Sequence, residues 1–284
     1  MDNATRAWIA CASGPERAAR PIVLLSKPGG NGVVASAALR QAPADGATML
    51  MAGMSQTTVT PFIYKKQPFD PEKEFHPVAM FGTAPFLLVA SAQSGIKSLK
   101  DLQAHARANP NGIDFGVTAI ASPPHLLSAA MSAKLGIQST AIPVGGESQG
   151  VTGLLGGQFP VMIFVAGSAM TQIAAGKLIP LMTFTDQRLP LLPNVPTVIE
   201  EMQDPSLIRA GWMGISVRAG TPVEAINAIE SWTRSCLATP EFKSALSNAL
   251  FTPTFKSQIE FAARIREDIE FWRPWITRLN ISND

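Results

Sequence analysis

Three stretches of this chain carry residues whose types and spacing suit chemistry. The first is PIVLLSKPGGNGVVASAAL, Pro21 to Leu39, in which Gly30, Gly32 and Ala35 satisfy G-x-G-x-x-A. A dinucleotide fingerprint uses such glycines to bring main-chain N–H groups to a pyrophosphate. It also needs an acidic residue about 20 positions on for the ribose hydroxyls. That region here reads TMLMAGMSQTT, with no carboxylate, and Asp45 precedes it in the turn ADG. The G-K-[ST] of a P-loop is absent too. PGGNG therefore reads as a structural turn, its glycines permitting positive φ and close approach of helix to sheet.

The second stretch holds Ser122 and His125, three apart at the start of a helical pattern. They are the nearest approach to a nucleophile and base, but neither a G-x-S-x-G elbow nor an orienting acid accompanies them. The third feature is a set of small and hydroxyl-bearing residues that follow apolar runs: Ser55, Gln56 and Thr57; Thr118, Ala119, Ala121 and Ser122; and Gly145 and Gly146. Hydroxyls and main-chain N–H groups at helix starts hold small anions. Ser55–Thr57 read equally well as caps of the turn that follows, and His125 as a buried, hydrogen-bonded helix residue. Glu147 would oppose an anion; its place in a first helical turn suggests that it faces solvent.

The elements that must position these residues alternate. Apolar runs at Ile22–Ser26, Thr48–Gly53, Val78–Phe81, Phe86–Ser91, Ile113–Val117, Thr140–Pro143, Val161–Phe164, Ile179–Phe184 and Met213–Val217 predict strands. Helical spacing predicts helices at 2–17, 33–41, 98–108, 124–134, 148–155, 168–175, 198–202, 222–238, 240–248 and 257–279. Ser98 lies three residues before Asp101 in a capping-box arrangement, and Gly176 can end its helix in a left-handed conformation. Pro274 should kink or interrupt the last helix. The alternation is that of an α/β protein.

Composition narrows the function. The 284 residues are 46% hydrophobic and 15% charged, with net charge +2, so the chain has well-buried cores and no basic stripe for nucleic acid. No apolar run spans a bilayer. Cys11 and Cys236, far apart in sequence, and three histidines give no metal spacing and no disulfide framework. Both thiols are expected to be buried and unpaired. The opening MDNATRAWIACAS lacks the basic start and apolar core of a signal peptide.

A series of segments then resembles one family, in order and along almost the whole chain. KPGGNG, a helix and APADGATMLMAG come first, followed by FDPEKEFHPVAMFG, SLKDLQAHARANPNGIDFG, SPPHL, GLLGGQFPVMI, IAAGKLIPL, LPNVPTVIEE and GWMGISVRAGTP. Together they are similar to the substrate-binding proteins of tripartite tricarboxylate transporters, the Bug-type extracytoplasmic receptors. The resemblance implies a type II periplasmic-binding fold: two α/β lobes, at 1–95 plus 214–284 and at 96–213, with a ligand cleft between them. Phe86–Ser91 and Met213–Val217 would be the crossings. It implies a monomeric, non-catalytic, periplasmic receptor for a small organic carboxylate that partners membrane transporter subunits and uses no cofactor and no metal. A genuine N-terminus without a signal would place the chain in the cytoplasm instead. A sensor of a signalling system is the other reading of the same fold, and a Ser122/His125 hydrolase a third.

The resemblance also implies departures. Val144 and Gly145 stand where the family has an aromatic residue and a lysine, and Phe164 and Val165 where it has a polar M-F-D-N run. Phe164 could stack on an aromatic acid or belong to the core. Pro123 and Pro124 remove donors from the family's S-S-T-H-L turn. MDNATR looks like the tail of the family's first glycine-rich loop, with Asp2 and Arg6 in the aspartate and arginine places. The first strand is then expected to be missing. The ligand set implied is Ser55, Gln56, Thr57, Thr118, Ala119, Ala121, Ser122, Val144, Gly145, Gly146, Phe164 and Val165.

Overall fold

The computed structural model describes residues 2–14 and 21–281. Arg17, the expected end of the first helix, lies outside them. In chain order the elements are α1 (Asp2–Ala12), α2 (Val33–Gln41), β1 (Met49–Gly53), β2 (Phe75–Ser91), α3 (Leu99–Ala108), β3 (Ile113–Val117), α4 (Pro123–Leu135) and β4 (Ser139–Pro143). Then come α5 (Glu147–Leu155), β5 (Val161–Val165), α6 (Ala166–Ala174), β6 (Leu178–Thr183), α7 (Val198–Met202), β7 (Ala210–Arg218), α8 (Val223–Ala238), α9 (Pro240–Asn248), β8 (Thr252–Lys256) and α10 (Gln258–Arg278).

The chain divides into two compact units, Met1–Thr83 with Trp212–Asp284, and Ala84–Gly211. Both passages fall inside strands, β2 and β7. The first lies at 83/84 and not near 95, because Phe86–Ser91 pairs with β5 and β6 and so belongs to the second unit. The two apolar runs at 78–81 and 86–91 are one continuous strand.

In the first unit β1 runs antiparallel to β7, Met49 opposite Val217 and Gly53 opposite Met213. The first half of β2 takes β8 on its edge, with a register shift between Met80 and Gly82. The core gathers Trp8, Val78, Phe81, Met213, Ile215, Val217, Ile229 and Phe242. Trp212 donates its indole N–H to the Asp268 carboxylate (2.7 Å), and Arg264 donates to the same oxygen (2.9 Å), which anchors β7 on α10.

Three sequence expectations are corrected here. Cys11 and Cys236 form a disulfide with Cα atoms 5.8 Å apart. α1 lies on α8, where the Trp8 indole donates to the Thr233 hydroxyl (3.1 Å), and this packing brings together residues 225 apart in sequence. Ile22–Ser26 is not a strand. Its main chain makes no hydrogen bond among the described residues, and an apolar run without a ladder partner cannot be one. Ile22 packs on the same core as Met49 and Met51, while Val23 and Leu25 stand 73% and 72% exposed. Pro274 does not interrupt α10, which continues to Arg278. Proline removes one N–H, and the carbonyl it leaves unpaired belongs to exposed Glu270, where water can serve it.

In the second unit β3 is parallel to both β4 and β5, while β2 is antiparallel to β5 and β6. Leu87, Val89, Leu154, Phe159, Met162 and Phe164 form its core. Glycine makes the helix-to-sheet approach possible: a Cβ at Gly150 of α5 would stand 2.5 Å from the Met162 sulfur.

Candidate functional site

Parallel pairing puts the C-terminal ends of β3, β4 and β5 at one edge of their sheet. In open α/β sheets that edge is where ligands bind. Three strand-to-helix turns leave it: Thr118–Ser122 before α4, Val144–Gly146 before α5, and Val165 directly before α6. Two hydrogen bonds tie them together. The Val144 N–H donates to the Val117 carbonyl (3.0 Å), and the Val165 N–H donates to Glu147 Oε1 (3.0 Å).

The turn before α4 is largely self-satisfied. Ser122 Oγ accepts the His125 N–H (3.4 Å) and caps the helix, and Pro123 and Pro124 offer no donor. Ala121 sits at φ 62°, a left-handed conformation costly for a residue with a Cβ. Its N–H donates to His125 Nδ1 (3.0 Å), which spends that lone pair on the main chain and leaves the neutral ring with its proton on Nε2. Burial lowers the His125 pKa. No hydrogen bond joins the ring to the Ser122 hydroxyl among the described residues. Ala121 and Ser122 are buried, so within the expected ligand set they shape the turn. Thr118 is half-buried and Ala119 exposed.

Gly145 and Gly146, at φ 83° and 157°, make a turn that residues with a Cβ enter only under strain, and it brings bare main chain to the start of α5. Val144 is half-buried beside it. Glu147 is the first residue of α5, as expected, but it does not face solvent. Its side chain bends to Val165, and Oε2 is shut from solvent without a hydrogen-bond partner. Burial pushes its pKa up, offset in part by the nearby Ser168 hydroxyl and the Val165 N–H.

Phe164 is 0% exposed and packs with Met162, Leu87 and Leu154, so an aromatic ligand cannot stack on it in this structure. The alternation of β5 turns Phe164 into the core, while the half-buried Val165 ends the strand.

Ser55, Gln56 and Thr57 belong to the first unit, where they open a π-helical turn, Ser55–Val59, directly after β1. Such turns recur at functional sites. The glycine-rich PGGNG turn packs on this one. Gln56 Nε2 donates to the Gly32 carbonyl (3.3 Å) and the Ser36 hydroxyl (3.1 Å), and a Cβ at Gly32 would meet Gln56 at 2.5 Å. The Gln56 amide N–H is thus spent on structure, Thr57 is buried, and Ser55 is half-buried. The signal for this clamp was the Gly32–x3–Ser36 spacing, which only a fold brings to Gln56. No group of three or more His, Cys, Asp or Glu side chains is placed to hold a metal among the described residues.

Residues 10–281 match the model of the tripartite tricarboxylate transporter family receptor. The chain belongs to that family. Among relatives, the UPF0065 protein of the tcbD-tcbE intergenic region of Pseudomonas sp. (strain P51) is 26% identical over 94% of this chain and 79% of its own length. Rpa4515 of R. palustris, solved with adipate, superposes with a TM-score of 0.83 at 24% identity, covering 99% of this chain and 93% of that one. MatC from Rhodopseudomonas palustris, solved with bound malate, gives 0.80 at 20% identity, covering 97% and 94%. The fold is therefore that of periplasmic solute-binding proteins. Among the described residues no helix is long and apolar enough to cross a membrane.

Proposed function

We propose that this receptor captures a small organic carboxylate at the strand-to-helix turns of its second unit and hands it, without transforming it, to the membrane subunits of a tripartite tricarboxylate-type transporter. The observation that carries the reading is the gathering of three strand-to-helix turns at one sheet edge within a chain of this family. Gly145, Gly146, Val144, Thr118, Ala119 and Val165 supply the contacts of the second unit. The carboxylates bound by Rpa4515 and MatC support the ligand class. Isothermal calorimetry with a panel of mono-, di- and tricarboxylates and aromatic acids tests the reading. At least one saturable ligand is expected, and silence with all of them would overturn it.

A further inference from the structure

We propose that Glu147 sets the ligand class, so that the receptor takes a monocarboxylate whose remainder is neutral or cationic and rejects a second carboxylate. The inference rests on the carboxylate-receptor reading above and narrows it.

Three observations in the second unit carry it. The first donor of α6, the Val165 N–H, is already occupied by Glu147 Oε1. An incoming carboxylate would have to displace the protein's own. The start of α4 is closed in a different way, by the Ser122 cap, by the Ala121–His125 hydrogen bond, and by two prolines that have no N–H to give. Finally, no cationic side chain offsets Glu147 from the elements packed on α5 among the described residues. α5 packs against β3, β5 and α6. β5 and α6 contain no charged residue, β3 contains only exposed Asp114, and α5 itself has no other charge. The turns 118–122 and 144–146 are uncharged as well. A second ligand carboxylate reaching this edge meets the Glu147 charge and no cationic side chain of these elements to offset it. A neutral group meets no such penalty, and an ammonium finds a counter-charge. Burial of the Glu147 carboxyl means that acidification neutralises it above the usual glutamate range, which relaxes the exclusion.

The test uses the full chain and length-matched probes in calorimetry: adipate, hexanoate and 6-aminohexanoate, then succinate with butyrate and 4-aminobutyrate, then terephthalate with benzoate and 4-aminobenzoate. Within a set the monocarboxylates should bind more tightly than the diacid. E147Q should improve the diacid by about tenfold or more while changing the neutral monocarboxylate by less than about threefold. E147D, which keeps the charge, should keep the discrimination and guards against misfolding of E147Q. Terephthalate, whose carboxyls titrate below those of the aliphatic diacids, should bind the unaltered chain better as pH is lowered toward the raised Glu147 pKa, and this dependence should vanish in E147Q. A diacid that outbinds its monocarboxylates, with a ratio unchanged in E147Q, overturns the proposal and leaves the receptor reading standing. No heat from any acid overturns both.

Discussion

Reducing the Cys11–Cys236 disulfide should cost this protein much of its stability. The bridge closes a loop of 225 residues in sequence separation, most of the 284-residue chain. The entropy withheld from the unfolded chain by a loop of that length corresponds to about 5 kcal/mol. Once reduced, α1 is held by Ala4, Trp8 and Ala12 in the core and by the Trp8–Thr233 hydrogen bond. These contacts exist in both redox states and do not replace the constraint. With an m-value of about 3 kcal/mol per molar urea, the unfolding midpoint should fall by about 1.7 M. The assay compares oxidised and reduced protein in urea by tryptophan fluorescence, with alkylation and mass analysis counting free thiols. Reduction introduces no cavity, so the comparison isolates the bridge; C11A/C236A should reproduce the reduced midpoint within about 0.5 M, since removal of the buried Cys236 sulfur adds a small packing cost. A midpoint unmoved by reduction, with two alkylated thiols, would refute the reasoning. Disulfides persist in oxidising compartments, so the bridge agrees with the periplasmic setting of the family.

Other outcomes follow from single contacts. Asp268→Ala leaves the buried Trp212 indole N–H without its acceptor and removes the Arg264 partner, and should destabilise by about 3 kcal/mol in thermal or urea unfolding. Gly150→Val drives a side chain into Met162 and should cost about 1–3 kcal/mol, with α5 amides losing hydrogen-exchange protection first. The titrations have opposite signs. His125 binds its proton less readily folded than unfolded, so stability should fall as pH drops below the ordinary 6.5, and His125→Phe should remove that slope. Glu147 holds its proton more readily when folded, so stability should fall as pH rises from the ordinary 4.5 through the raised folded pKa; E147Q should flatten that window.

Local pattern was sufficient wherever a residue's role depends on its sequence neighbours. Ile113–Val117 is a strand because its apolar run is bounded by turns, and Ser98 caps α3 because its hydroxyl reaches the Asp101 N–H three residues on. Gly176 takes φ 68° just past α6, as glycine at a helix end does. The turns before α4 and α5 were legible for the same reason. What the sequence left open is what depends on partners brought from elsewhere. Thr252–Lys256, with a proline inside it, is a strand only because β2 offers an edge, whereas Ile22–Ser26, a better apolar run, has no ladder among the described residues. The Gln56 amide was a candidate ligand donor until the fold supplied Gly32 and Ser36. Folding turned Phe164 into the core and Glu147 away from solvent, and it put two distant cysteines within bonding reach. Turns and caps are bonds between near neighbours and are written in the local order of residues. Pairing, burial and charge compensation are decided by which distant surfaces meet, and only the packed chain specifies that.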